Sequence, residues 1–479
     1  MPLSAQPPSI PLHPTPLFDT LKDQAARQAS DLWVVGGYVR DALLGRAGLD
    51  IDLITSGDPE SLGKAIARAL GGNYVLLDAE FGITRVVLAS GGVIDLARLQ
   101  GATIADDLFN RDLTINAIAL PLVQGGTAVE APEPLDPTGG LRDLERRVVR
   151  AISDDNLVAD PVRMIRVFRF AAVLDFTIDF ETLQWVDTYK RKLLDVAAER
   201  TTAELLKILA LPAAFLWIER LFGMGVLMVL LPEFNMLARL QGPRMSGQGH
   251  ALETARCLEQ LPATLGAHAA AVQADLDRDL GGGATPWTVL KLAALLHEVG
   301  KPFCTTYGAD QSVSYEGYEA EGAKRVEAIA NRLKLSAKAR DFLTRLVKLQ
   351  RLPEALAKTP HDPVALYRFF QAAGDTSVGL LLLNLALQRA AHSPATQELA
   401  AALPALLAAY FRPDAAYTAP RRLIDGKDLM RELGLKPGKQ IGMLLEAIVE
   451  AQLRGEIDTR DGAIAWASRH LPAEQASER

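Results

Sequence analysis

The sequence predicts an α+β chain in which an N-terminal α/β unit of short strands precedes a nearly all-helical remainder. Residues 18–135 mix short β-like runs with helical segments and Gly turns. From about Leu141 onward the β-branched runs vanish, and Leu, Ala and Glu recur at helical spacing. The chain has 479 residues, roughly three domains at ~150 residues each. Taken in order, Leu32–Val35 is an apolar run that ends at Gly36-Gly37, and 51–55 alternates in polarity. Residues 84–88 and 92–96 are two further β-branched runs around a Ser-Gly-Gly turn. Past these, Gly281-Gly282-Gly283 and 353–363 read as loops or boundaries. A turn at 434–439 leads into an amphipathic helix.

Hydrophobic residues make up 49% of the chain and charged residues 23%, which excludes a disordered chain, a fibrous repeat and a small disulfide scaffold. Cys257 and Cys304 are too few and too far apart for a framework, so a reducing, cytoplasmic compartment is expected. The longest apolar run, 378–391, is interrupted by Asn384, Gln388 and Arg389, and no membrane partner is expected. The first sixteen residues are rich in Pro and Ser and read as a floppy leader. A net charge of −7 excludes a chain that is strongly basic throughout, but not a local basic patch. Seven arginines between Arg142 and Arg169 form the densest such run.

Four constellations carry chemistry. The first is Val34-Val35-Gly36-Gly37-Tyr38-Val39-Arg40-Asp41, a strand running through two glycines into a helix. Backbone N–H groups at such a bend can approach phosphate oxygens, with the positive end of the helix behind them. Thirteen residues after Gly37 comes Asp50-Ile51-Asp52. In a strand its two carboxylates share a face and repel unless a cation lies between them. Magnesium suits such a pair, since it keeps waters and substrate phosphates as its other ligands. Asp95 offers a third carboxylate on a later strand. The third constellation, Asn110-Arg111-Asp112-Leu113-Thr114-Ile115-Asn116-Ala117, reads as a charged pair entering an apolar helix, with Arg111 and Asp112 lining a pocket. In the fourth, Asp160 caps a helix with Pro161 in its first turn and Arg163 one turn on. Such an Asp and Arg can imitate a Watson–Crick partner, one accepting from an exocyclic amine and the other donating to ring N or O. A phosphate cradle ahead of paired carboxylates suits two-metal phosphoryl transfer.

The order Gly-Gly-x-Val-Arg-Asp-x-Leu-Leu-Gly, Asp-x-Asp, Arg-Asp-x-Thr-Ile-Asn-Ala resembles the class II tRNA nucleotidyltransferase and bacterial poly(A) polymerase family, within the DNA polymerase β superfamily. The resemblance implies a polymerase β-like catalytic head over 18–140 and a helical neck with the base-selecting helix over 141–235. It further implies an HD-like helical body over 236–400 and a helical tRNA-binding tail over 401–479. Gly36, Gly37 and Arg40 would hold the triphosphate, Asp50 and Asp52 would bind Mg2+ with Asp95 beside them, and Arg111 and Asp112 would contact the nucleotide. The family usually has two arginines before that aspartate, and the first is Asn110 here. The segment 159–163 is similar to the family's Glu-Asp-x-x-Arg base selector with Ala159 replacing the Glu, so Asp160 and Arg163 carry over. Arg166 joins the nucleotide-binding set. Glu199-Arg200-Thr201-Thr202-Ala203-Glu204-Leu205 matches an element that braces that helix. Arg146, Arg147, Arg150 and Arg169 fit phosphate contacts to RNA.

The implied reaction is template-independent addition of CMP to the 3′ end of tRNA from CTP, with ATP used if the terminal A is added too. Only twelve residues separate Arg98 from Arg111, where CCA-adding relatives carry a longer flexible loop, so CC addition is expected. In the body, Leu295-Leu296-His297-Glu298 resembles the HD phosphohydrolase signature, with His250 as the upstream histidine. Glu298 replaces the Asp, Tyr318 stands where a His is expected, and Asn384 is the nearest polar residue to the distal position. A degenerate site is expected. Poly(A) polymerization and HD-type phosphohydrolysis are the rival activities.

Overall fold

The computed structural model describes residues 15–46, 48–80, 82–240, 245–310, 312–412 and 417–470. The leader expected over 1–16 lies almost wholly outside the described residues. The chain divides into two compact units. The first runs to Glu204 and includes Arg220–Leu230; the second comprises Leu205–Glu219 and everything from Leu231.

The first unit is built on a seven-stranded sheet in the order β3-β4-β5-β2-β1-β6-β7. Its strands are β1 (Leu32–Val35), β2 (Asp50–Thr55), β3 (Asn73–Asp78), β4 (Ile83–Val87), β5 (Val93–Arg98), β6 (Ala119–Gln124) and β7 (Thr127–Ala128). All four expected strands form. The pairing β2·β5 is parallel and the rest are antiparallel. Helices α1 (Thr15–Arg27), α2 (Gly37–Leu43), α3 (Pro59–Leu70) and α4 (Ile104–Phe109) accompany it. α3 is capped by the Asp58 side chain, has Pro59 in its first turn, and buries Leu62 and Ile66 completely. Each such side chain contributes ~1.5–3 kcal/mol by leaving water.

The helix expected after Arg111 is a single 3-10 turn, Thr114–Asn116, followed by β6. Residues 115–123 form an unbroken buried run. Periodicity cannot separate a strand buried on both faces from a helix, and pairing with β1 decides it. The edge strand β3 also escaped the reading, because Val75, Leu76 and Leu77 are all exposed and do not alternate. Past 141 helices dominate as expected, but two small two-stranded sheets remain, 148–149 with 177–178 and 306–307 with 313–314. The break expected at 353–363 begins with a helical turn, Leu352–Ala357.

The second unit is helical around two fully buried segments. Pro286–Leu296 is buried at every position except Trp287, held at its start by a Thr285–Thr288 capping box. Ser377–Ala390 is nearly as buried. The stretch Pro363–Ala390 is long and apolar enough to cross a membrane by composition, but 78% of its apolar window is buried inside the fold, as a core helix requires. The fully buried Lys291 would be costly alone; its ammonium donates to Glu259 (2.8 Å) and the Leu211 carbonyl (2.7 Å).

Candidate nucleotide and metal site

The sheet register assembles the first site. Asp50 and Asp52 are both exposed on one face of β2, while Ile51 and Leu53 between and beyond them are buried. β5 runs alongside so that Asp52 lies opposite Asp95. Gly36 adopts φ +72°, and a Cβ placed there would come 3.0 Å from Asp52 Oδ2 and 3.3 Å from an Arg111 Nη1 nitrogen. The double-glycine bend, Asp52 and Arg111 therefore meet, with Asp50 on the same face of β2, and only glycine leaves the gap open.

Protein atoms crowd the inner side of Asp52 although solvent reaches its outer edge. That burial is the main force raising its carboxyl above the ordinary carboxylate range. Arg111 and the Gly37 N–H pull it back down, while Asp95 and Asp50 push it further up. Paired hard oxygens in this setting fit a divalent cation. Asp95 is already engaged: Arg85 Nε and Nη2 donate to its two oxygens, each at 2.7 Å.

Other residues predicted for this site have internal partners. Arg40 is buried; its Nη1 donates to Asn116 Oδ1 at 2.7 Å and its Nε and Nη2 to Asp41. Arg111 is held by the buried Asp107 carboxylate at 3.2 Å. Asp112 is buried and accepts from Arg166 Nε (2.7 Å), Asn116 Nδ2 (3.2 Å) and the Leu113 N–H (2.9 Å). Burial alone would raise its pKa, but Arg166 and Asn116 outweigh it and the carboxyl stays ionized below its usual range. Asp112 and Arg166 are thus each other's anchors.

Of the two residues expected to read the base, Asp160 follows the last residue of α6 (Asp154–Ala159) and Arg163 lies in the first turn of α7 (Val162–Leu174), with α5 (Gly140–Arg146) before them. The Asp160 side chain does not cap α7, correcting the sequence expectation. Its Oδ2 instead accepts from Arg200 at 2.8 Å and lies 3.8 Å from Arg163 Nε, and its buried Oδ1 has no partner. Arg163 Nη1 donates to the carbonyls of Arg111 and Asn156. Arg200 and Glu204 brace this region directly, since Glu204 binds Arg169 Nε at 2.5 Å.

Arg169, expected to contact RNA, is largely buried against Glu204 and the Phe170 ring. Arg150 is likewise engaged by Asp143 and Asp179, both at 3.1 Å. Arg146 and Arg147 remain exposed. Arg85 and Asp107 were missed by the sequence reading. Strand register alone could have found Arg85, whereas Asp107 gave no signal beyond its i, i+4 spacing to Arg111.

A second cluster lies wholly in the helical unit. His250, His297 and Glu298 bring their ligand atoms within 4.8 Å of one another. They line a cavity of about 790 Å³ with Tyr318, Gln350 and Arg351. Gly300 allows this packing, because a Cβ there would strike the Tyr318 carbonyl at 2.1 Å. His297 Nδ1 contacts the Ala294 carbonyl at 2.9 Å, Gln350 donates to the His297 carbonyl, and Asn384 donates to the Gln350 carbonyl. Burial pushes the His297 pKa down to about 3. The Lys301 ammonium sits on Glu298 Oε1. These residues do not fit a metal centre well: a resident cation holds the carboxylate, and Tyr318 is a poor ligand.

Residues 32–150 match the poly A polymerase head domain family, 175–237 the RNA and SrmB-binding site of polymerase A, and 320–467 the tRNA nucleotidyltransferase domain 2 family. The chain is 33% identical to the CC-adding tRNA nucleotidyltransferase of Geobacter sulfurreducens, with 96% of each covered. It is 35% identical to the A-adding tRNA nucleotidyltransferase of Deinococcus radiodurans, covering 91% of this chain and 94% of that one. Its fold is similar to the Thermotoga maritima CCA-adding enzyme complexed with tRNA, at TM-score 0.65 and 23% identity, covering 96% of this chain and 97% of that one.

Proposed function

Because the chain belongs to the class II tRNA nucleotidyltransferase family, whose members generally use divalent metal ions, we propose that it adds two CMP residues to the 3′ end of tRNA. The observation that carries this reading is the meeting of Asp52, Arg111 and the Gly36 bend, with Asp50 beside Asp52 on the same face of β2. The 3′-oxygen of the RNA forms a bond to the α-phosphorus of CTP, the α–β bridging bond breaks, and pyrophosphate leaves. Mg2+ held by Asp50 and Asp52 would favour the ionized 3′-oxygen and neutralize pyrophosphate. Gly36 leaves room for the triphosphate beside the acids, and Arg111, fixed by Asp107, presents positive charge there. The unpartnered Asp160 Oδ1 suits the exocyclic amine of cytosine, and the adjacent Arg163 guanidinium suits its ring acceptors.

CC rather than CCA addition is supported by the connection between β5 and Arg111. α4 opens with a Thr103–Asp106 capping box, and Asp107 accepts from the Gln100 N–H as well as from Arg111. This short, tied segment leaves no long loop to reshape the pocket for ATP. A reducing, cytoplasmic setting agrees with two free thiols.

Supplying a tRNA that lacks its 3′ CCA with CTP and ATP, separately and together, tests the reading. Products ending in CC are expected. A CCA terminus, or A added to a tRNA ending in CC, contradicts CC-only addition, and long tails on generic RNA with ATP alone would indicate a poly(A) polymerase. The clustering of His250, His297 and Glu298 gives phosphohydrolysis its one supporting observation. It requires Lys301 to leave Glu298, and phosphatase activity that survives D50A but not H297A would favour it.

A further inference from the structure

The three head carboxylates share a sheet face, yet among the described residues they do not close into a three-ligand group. Arg85 holds the third of them. β4 pairs with β5 so that Arg85 lies opposite Asp95, which in turn lies opposite Asp52. A guanidinium fork thus takes both oxygens of the third acid. The Arg85 side chain is 40% exposed and that of Asp95 30%. Water screens an ion pair this exposed, which limits what it adds to the stability of the fold. Arg85 also feels Asp50 and Asp52, after Asp95 itself, which places its charge within reach of the whole cluster.

We propose that Arg85 is a positioning residue that withholds Asp95 as an internal counter-ion and so limits how tightly the acid cluster takes up divalent cations. The proposal rests on the reading of Asp50 and Asp52 as an ion site. With Arg85 in place the cluster presents two open carboxylates, enough to hold an ion together with triphosphate oxygens. Without it a third carboxylate is released beside Asp52 and one positive charge is lost. Both changes favour ion binding in the absence of nucleotide and oppose ion release with pyrophosphate.

Mn2+ binding to the ion-free, full-length protein without nucleotide, followed by the electron paramagnetic resonance of free Mn2+, is the test. R85Q is expected to tighten binding about tenfold, the scale of one unit charge gained or lost at partly screened contact distance. R85K, which keeps the charge but cannot grip both oxygens, should tighten it by a smaller factor, about threefold. R85Q/D95N should return to wild-type affinity. No tightening in R85Q, or tightening that survives D95N, overturns the proposal; if R85Q does not fold, R85K decides by the same criterion. D50A/D52A separates the two levels: unchanged Mn2+ binding there removes the ion-site reading itself, whatever R85Q does.

Discussion

The head and the helical unit each gather acids with polar partners, and they treat the charge in opposite ways. On β2, Asp50 and Asp52 stand open on the sheet, and burial with neighbouring carboxylates raises the Asp52 pKa. Beside the buried helix Pro286–Leu296, Glu298 is neutralized by Lys301 and flanked by His250 and His297. Asp50 and Asp52, which keep their repulsion although Arg111 and Arg85 stand beside the cluster, still gain from a cation supplied from outside. A cluster that carries its own ammonium is complete as it stands. The difference shows why ligand-type residues in proximity do not make a metal site: what matters is whether their charge is already answered.

Exchanging the two regions' roles should produce the largest effects. D50N or D52N should lower CMP incorporation into tRNA by roughly a thousandfold or more, with the thermal midpoint unchanged or raised. H297A should leave incorporation within about twofold while lowering the midpoint, because a filled core position is emptied. A D52N variant that retains incorporation would erase the contrast.

Next comes removal of the resident cation. K301M should destabilize the helical unit by about 1–3 kcal/mol, since it leaves the buried Glu298 carboxylate with only its imidazole neighbours. Added Zn2+ should restore the midpoint of K301M and leave the wild type unmoved. Wild-type stabilization by Zn2+, read by calorimetry, would mean that Lys301 does not occupy the site.

The pH dependence follows with a smaller amplitude. His297 has a folded pKa of about 3, below the ~6.5 of an unfolded chain, so between these values the unfolded state binds more protons. Its contribution is therefore full above pH ~6.5 and is lost as pH falls toward 3. Burial would raise the Glu298 carboxyl, but His250 and Lys301 outweigh it and hold it below its usual range, which adds a loss of the same sign below pH ~4.5. Denaturant melts at stepped pH should show this acid decline, and H297Q should flatten its upper part. A decline unchanged in H297Q would assign it to other groups.

The smallest effect concerns the arginine run. R146A/R147A should weaken tRNA binding a few-fold and reduce its salt dependence, as loss of about two phosphate contacts does. R169A should act through stability instead, because the Arg169–Glu204 ion pair is lost. Equal salt slopes for wild type and R146A/R147A would remove those two residues from the RNA surface.

Much of the first unit was legible because its signals were local. A strand ending in Gly36-Gly37 and the alternation around Asp50 and Asp52 need only two or three neighbouring residues to be read. The motif order then led to the family. Arg85, Asp107 and Lys301 lie outside those motifs; they act through strand register, a helical i, i+4 contact and packing about a buried helix. Asp160 shows the same limit, since a residue preceding Pro161 looks like a cap until Arg200, forty positions away, claims its carboxylate. The run 115–123 reads as a helix and folds as a turn and a strand, because a doubly buried strand and a buried helix have the same apolar pattern.

Replacing one non-bridging α-phosphate oxygen of CTP by sulfur tests most directly whether an ion at Asp50 and Asp52 meets the reacting phosphate. Mg2+ is hard and binds sulfur poorly, whereas Mn2+ and Cd2+ accept it. Incorporation from one thio-CTP stereoisomer should be slow with Mg2+ and recover with Mn2+ or Cd2+. Equal rates with every ion for both stereoisomers would contradict the account.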